Sequence, residues 1–298
     1  MKKKFPQIRS LLFVPGDSER KYRKALESGA DALILDLEDA VAHTQKAKAR
    51  AEVSAWIHAA SGDGPLLIVR INALDSGLAV EDLAAIVRPG LDAILLPKSN
   101  GAGDIGRVGY YLEALETRIG WSEANIGILA VATETPTAMF AFGSYVPSHP
   151  RLLGLTWGAE DLSAAIGAFS NKAEDGAWTF PYQLARAQCL FASAAADVVA
   201  IDTLYSNFRD VSGLARDCTI SRRDGFTGRI AIHPDQVPVI NDCYSPSQDE
   251  IAHARRIVRA FEEQPDAGAL SIDGHMYDIP HLKAAKRILL DAGHTQMP

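Results

Sequence analysis

Apolar residues in this chain come in short runs, separated by longer stretches in which alanine and charged residues recur at helical spacing. The runs fall at 10–16 (SLLFVPG), 32–40 (ALILDLEDA), 66–72 (LLIVRIN), 93–99 (AILLPKS), 126–135 (IGILAVATET), 152–162 (LLGLTWGAEDL), 198–204 (VVAIDTL) and 228–234 (GRIAIHP). Leucine-rich and β-branched runs of this length predict strands, and the amphipathic stretches between them, such as 18–29, 80–90 and 182–197, predict helices. About eight βα units in some 240 residues is the size of a (β/α)8 TIM barrel. A doubly wound open sheet alternates in the same way, but no GxGxxG follows the first strand and no break in composition divides the run. The expected fold is therefore an α/β TIM barrel over residues 1–240, with a C-terminal helical extension over 241–298. In that extension a helix at 245–264, a short excursion at 269–278 and a final helix at 280–293 are expected.

Composition narrows the class. The 298 residues are 47% hydrophobic and 22% charged, enough to build a core without staples. Cys189, Cys218 and Cys243 are odd in number and lack metal-ligand spacing, which points to a reduced, cytoplasmic setting. The opening MKKKFPQIRS has no apolar stretch behind it to make a signal peptide, and no apolar run reaches membrane-spanning length. A net charge of −7 argues against a nucleic-acid partner, so an anionic ligand needs a local cationic pocket.

Candidate chemistry emerges at the ends of the runs. In barrels the active site lies where the carboxyl ends of the strands converge. Here those ends carry Asp36 and Glu38, then Arg70, Lys98, Glu134, Asp161, Asp202 and His233. A buried carboxylate is costly unless a cation answers it, and barrel closure would set Asp36 and Glu38 opposite Arg70, Lys98 and a metal ion. Glu134 and Asp161 are the metal candidates, because two carboxylates with waters and substrate oxygens suit Mg2+ or Mn2+. No His/Cys cluster has zinc spacing. The plainer alternative makes each acid a helix-start residue, Glu134 ahead of Pro136 and Asp161 ahead of LSAAIG. His233 is expected to be a structural strand-end residue, and Arg229 a surface cation opening the last strand.

The ordered set RSLLFVPGDSERKYRKALESGADALILDLEDAV, VRIN, LLPKS, TETPTA, GAEDL, AIHPDQV and IDGHMYDIPHLKAA resembles the citrate lyase β-subunit-like family of metal-dependent aldolases and lyases, from Arg9 to about Gly293. The resemblance implies a Mg2+-dependent carbon–carbon lyase. Such an enzyme cleaves or forms a 3-hydroxyacyl-CoA thioester such as citramalyl-, malyl- or citryl-CoA, giving a keto acid and a shorter acyl-CoA. It also implies Glu134 and Asp161 as metal ligands, and Glu134 and Arg70 at the substrate. Asp278 of the MYDIP segment would be an acid or base delivered to a neighbouring subunit by the C-terminal extension. Asp36, Glu38 and Lys98 would then orient Arg70 and the metal's waters, and a homotrimer or a multiple of it is expected. Two other readings keep the same residues. One is malate synthase or malyl-CoA thioesterase activity, and the other is a carrier-protein-dependent citrate lyase subunit in a hetero-complex. Asp278 also reads as a cap of the helix that begins at Ile279–Pro280.

Overall fold

A computed structural model describes residues 8–60, 62–121 and 125–293. Eight parallel strands close into a barrel in chain order. They are β1 (Ser10–Pro15), β2 (Ala32–Asp36), β3 (Leu66–Arg70), β4 (Ala93–Leu96), β5 (Gly127–Val131), β6 (Leu152–Thr156), β7 (Val199–Asp202) and β8 (Gly228–Ala231). The helices between them are α1 (Glu19–Leu26), α2 (Lys46–Ala59), α3 (Ala79–Ile86), α4 (Ala102–Arg118), α5 (Glu160–Ile166), α6 (Phe180–Ala195) and α7 (Val211–Asp224), and α8 (Gln236–Tyr244) follows β8. The fold is the (β/α)8 barrel that the alternation predicts. One unit departs from it: between β5 and β6 the described chain makes two 3-10 turns, Ala138–Phe140 and Phe142–Tyr145, and no α-helix.

Both faces of the strands are buried, one against the barrel interior and the other against the helices, so the strands read as continuous apolar runs. The interior is filled by every second residue: Leu11, Ala32 and Ile34, Ile68, Ala93 and Leu95, Leu129 and Val131, Ile201 and Ile230. Continuing that alternation one step up β2 and β3 reaches Asp36 and Arg70, which are also direct partners in the strand register. The barrel's apolar filling thus ends in a charged layer at the mouth.

The described residues divide into two compact units at Asn241/Asp242. In the second unit α9 (Gln248–Glu263) starts with a capping box, Ser247 with Glu250. A hairpin of β9 (Ala269–Ile272) and β10 (His275–Asp278) turns at Asp273–Gly274, both at positive φ as a tight hairpin requires. α10 (Ile279–Asp291) is capped by Asp278. Ile251, Ile257, Val258, Phe261, Leu270 and Leu289 form this unit's own core. No helix among the described residues is long and apolar enough to cross a membrane.

Two sequence expectations are corrected here. Arg229 is not a surface cation: it is 1% exposed, its Nη2 lies 2.5 Å from Asp217 Oδ2 and 3.4 Å from Asp202 Oδ2, and its Nε donates to the Thr203 carbonyl. Asp202 accordingly does not join the mouth, because Trp157 Nε1 donates to it at 2.6 Å and Arg186 of α6 at 3.2 Å.

Closure of the barrel leaves no room at its seam. A Cβ on Gly228, the first residue of β8, would stand 2.2 Å from the Ile8 carbonyl oxygen and 2.8 Å from that of Arg9. Gly228→Ala is therefore expected to destabilise the protein by about 1–3 kcal/mol, read as a lower urea midpoint. An unchanged midpoint would mean that the β1–β8 seam yields without cost.

Candidate active site

Asp36 closes β2 at 1% exposure and faces Arg70, the last residue of β3. The pair is bidentate, with Arg70 Nε donating to Oδ1 at 2.7 Å and Nη2 to Oδ2 at 2.6 Å. The same carboxylate accepts the backbone N–H of Glu38 (2.9 Å) and of Ala40 (3.0 Å). Four donors fill its lone pairs, so Asp36 holds Arg70 and its own loop and has no capacity left for a metal. Burial works against the Arg70 guanidinium, but Asp36, Glu38 and Asp39 outweigh it and raise its pKa. Phe13 of β1 supports the guanidinium from another side, with 4.7 Å from Arg70 Cζ to the ring centroid.

Glu38 carries the chain of charges onward. Its Oε2 lies 3.0 Å from Arg70 Nη1, and its Oε1 accepts Lys98 Nζ at 2.6 Å. Lys98 in turn lies 3.4 Å from Asp161 Oδ1, and its backbone N–H donates to Glu134 Oε2 at 2.6 Å. All six residues proposed from the barrel sequence are therefore contiguous: Asp36, Arg70, Glu38, Lys98, Glu134 and Asp161. Asp39 stands at the edge, exposed, 3.9 Å from Arg70 and 3.7 Å from Lys98.

The runs that hold the two metal candidates, 126–135 and 152–162, extend beyond the strands they predict. Glu134 lies three residues beyond β5, and Asp161 lies in the first turn of α5 rather than on a strand. A side-chain clip aligns their loops: Thr133 Oγ1 donates to the Gly158 carbonyl at 3.0 Å and is 2.9 Å from the Gly158 N–H. Gly158 also leaves space for the Glu134 carboxylate, since a Cβ there would lie 3.2 Å from Glu134 Cγ and Oε1. Glu134 is 6% exposed, and burial pushes its carboxyl up to about 8 against the Lys98 amide that lowers it; Asp161 and Glu38 add to the rise.

These groups fit one divalent cation. Asp36, Glu38, Asp39, Glu134 and Asp161 gather around Arg70 and Lys98, so acids outnumber the cations they touch at the mouth. Among the described residues no group of three His, Cys, Asp or Glu side chains is arranged to ligate a metal. Glu134 and Asp161 would thus supply two oxygens, with the other positions left to water and substrate, as suits Mg2+ better than zinc.

Beside Arg70, on the β1–β8 side, opens a cavity of about 570 Å³. Arg20, Lys21 and Lys24 of α1 give it a basic wall, and Leu204, Ile232 and His233 also line it. The sequence reading omitted that basic wall, although four cations within residues 20–24 of an acidic chain were a visible signal. It also missed Lys46, whose Nζ donates to the carbonyls of Leu37 (2.7 Å) and Glu38 (2.6 Å) and so pins the acid-bearing loop. No motif distinguishes that lysine from a solvated helix-start residue. His233 stacks on Phe208 at 4.9 Å while it lines that cavity.

Asp278, the remaining site residue proposed from sequence, lies in the second unit. It caps α10: Oδ1 accepts the His281 N–H at 3.4 Å and lies 2.5 Å from His281 Nδ1. The His281 hydrogen bond draws its pKa down.

The family model described as HpcH/HpaI aldolase/citrate lyase matches residues 9–234. A (3S)-malyl-CoA thioesterase of Cereibacter sphaeroides is 34% identical over 289 residues, covering 96% of this chain and 94% of that protein. A citrate lyase subunit beta of Escherichia coli is 33% identical, covering 94% and 92%. Among solved structures, the CitE protein of Mycobacterium tuberculosis in complex with magnesium, acetoacetate and coenzyme A superposes with a TM-score of 0.77 at 30% identity, covering 96% of this chain and 98% of that one. The chain belongs to the HpcH/HpaI aldolase/citrate lyase family and is an enzyme of that lyase superfamily.

Proposed function

We propose that this enzyme is a Mg2+-dependent carbon–carbon lyase acting on a 3-hydroxyacyl-CoA thioester that bears a carboxylate beside the hydroxyl, of the malyl-, citramalyl- or citryl-CoA kind. The observation that carries the proposal is the mouth itself. Two carboxylates, Glu134 and Asp161, stand in an acid cluster that outnumbers its cations, beside a fixed guanidinium and next to a cavity with a basic wall. The relatives' names, which include a malyl-CoA thioesterase and citrate lyase subunits, and the CitE complex with magnesium and coenzyme A support the substrate class.

Glu134 and Asp161 would hold Mg2+, with Mn2+ as the alternative ion. When bound there, the ion would supply Lewis acidity that favours loss of the substrate hydroxyl's proton. Arg70 is held by Asp36 through Nε and Nη2, which fixes the direction of its remaining N–H groups. Those groups donate to the oxygen that changes from hydroxyl to carbonyl, or to the adjacent carboxylate. In cleavage the hydroxyl loses its proton and the carbon–carbon bond breaks. Its electron pair enters the thioester enolate, and the enolate carbon takes up a proton. Asp278 from a neighbouring subunit would exchange that proton, in a homo-oligomer proposed to be a trimer or a multiple of it. Arg20, Lys21 and Lys24 would hold the anionic tail of the thioester. Hydrolysis at the same site is the second reading, favoured by the relative named as a thioesterase.

The assay is incubation of a panel of hydroxyacyl-CoA esters with Mg2+, followed by mass detection of the products. Keto acid with a shorter acyl-CoA supports the lyase, and free CoA with the intact hydroxy acid supports hydrolysis. Glu134→Gln and Asp161→Asn should each abolish turnover while leaving the unfolding midpoint near that of the wild type; wild-type turnover in either removes the metal assignment.

Arg70→Lys keeps the charge and loses the fork. Its kcat/KM is expected to fall by the equivalent of about 2–4 kcal/mol. A fall of only a few-fold would place Arg70 away from the reacting oxygen.

The role of Asp278 across subunits is tested by mixing. Inactive Asp278→Asn and inactive Glu134→Gln proteins, allowed to exchange subunits, should recover activity. Proven exchange without recovery would confine Asp278 to its own barrel or to capping.

A further inference from the structure

Lys98 touches the acidic cluster in two ways at once. It lies two residues past the end of β4 at a φ of 52°, a left-handed conformation that side-chain-bearing residues seldom adopt outside turns or functional sites. With that twist, its N–H donates to Glu134 Oε2 at 2.6 Å while its ammonium bridges two other carboxylates. The bridge is uneven: 2.6 Å to Glu38 Oε1, which is buried, and 3.4 Å to Asp161 Oδ1, which is over a third exposed. Asp39 Oδ2 stands 3.7 Å away.

We infer that Lys98 is the built-in counter-ion of the cation site: its ammonium neutralises Asp161 until a divalent ion takes that carboxylate, and then rests on Glu38. This inference depends on the proposed assignment of Glu134 and Asp161 as ligands. The unequal distances favour it. The long contact, to the more exposed acid, is the weaker one, and the short buried contact to Glu38 remains after Asp161 is released. Lys98 thus limits repulsion among Glu38, Glu134 and Asp161 while the ion is absent. The cost is a positive charge that opposes the ion when it arrives. The amide–Glu134 bond belongs to the backbone and survives any substitution of the side chain that keeps the local conformation.

The sign of the effect separates this role from a scaffold role. If Lys98 merely holds the carboxylates in place, removing its charge weakens metal binding. If it is the counter-ion, removing its charge strengthens binding and destabilises the chelator-treated protein. The experiment titrates Mg2+ calorimetrically into EDTA-treated wild type, Lys98→Met, Lys98→Gln and Glu134→Gln, with thermal unfolding recorded before and after Mg2+. Both Lys98 variants should bind Mg2+ about tenfold more tightly than wild type. They should also melt lower in EDTA and gain more from Mg2+. Equal or weaker affinity in both overturns the counter-ion role, and leaves the metal assignment standing if Glu134→Gln has lost binding. Wild type that binds no Mg2+, or Glu134→Gln that binds as wild type does, takes down the metal assignment and this inference together. Should Lys98→Met fail to fold, Lys98→Gln decides, because its amide keeps hydrogen bonding and drops only the charge.

Discussion

The mouth of this barrel depends on the buried pair of Asp36 and Arg70. Removing two charges from water is expensive, and a buried ion pair seldom repays the cost in stability alone. This pair is placed by strand register, which sets the two residues side by side at the top of β2 and β3. It is then tightened by a bidentate bond and two backbone donors to the same carboxylate. What the arrangement provides is direction. With Nε and Nη2 committed to Asp36, the guanidinium cannot rotate, and its Nη1 edge is turned toward Glu38. Each later contact in the cluster, from Glu38 to Lys98 and on to Asp161 and Glu134, presupposes that fixed starting point.

The acids therefore divide their roles by how many donors each already has. Asp36 is filled by Arg70 and two amides. Glu38 is shared between two cations. Glu134 receives one short amide bond and is otherwise deeply buried, which is why its carboxyl rises to about 8. A carboxylate destabilised by burial and by like neighbours gains most from a divalent cation. The same physics that makes Glu134 costly in the fold makes it the stronger of the two metal candidates.

The strands were legible from sequence because burial on both faces produces unbroken apolar runs. That same burial hid the facing of each residue. Asp36 and Asp202 both end apolar strands, yet Ala32 and Ile34 point inward with Asp36, whereas Ile201 points inward and turns Asp202 toward the helices. Arg229, adjacent to the inward Ile230, follows Asp202 outward and pairs with it. An alternating polar pattern would have exposed this parity, but a strand apolar on both faces carries no such mark. The loop positions were harder to place. Glu134 and Asp161 owe their proximity to the Thr133–Gly158 clip, in which a hydroxyl meets a peptide 25 residues away, and no local pattern encodes that. Lys46 was unreadable for a related reason, since its partners are backbone carbonyls that every sequence contains.

Asp278 shows how a structural role and a proposed chemical role can share one carboxylate. As the cap of α10 it meets both the N–H and the ring of His281. Capping fixes the carboxylate's rotamer, which a proton-transfer group needs more than strength as a base. The hydrogen bond from His281 favours the ionised form of the Asp278 carboxyl. An enolate carbon that must be protonated then requires a proton already resting on the pair. The His281 ring nitrogen, 2.5 Å from the carboxylate, stands where it can hold that proton next to the acceptor. Capping and proton exchange are therefore compatible, because the helix start keeps the carboxylate and its imidazole together in one geometry.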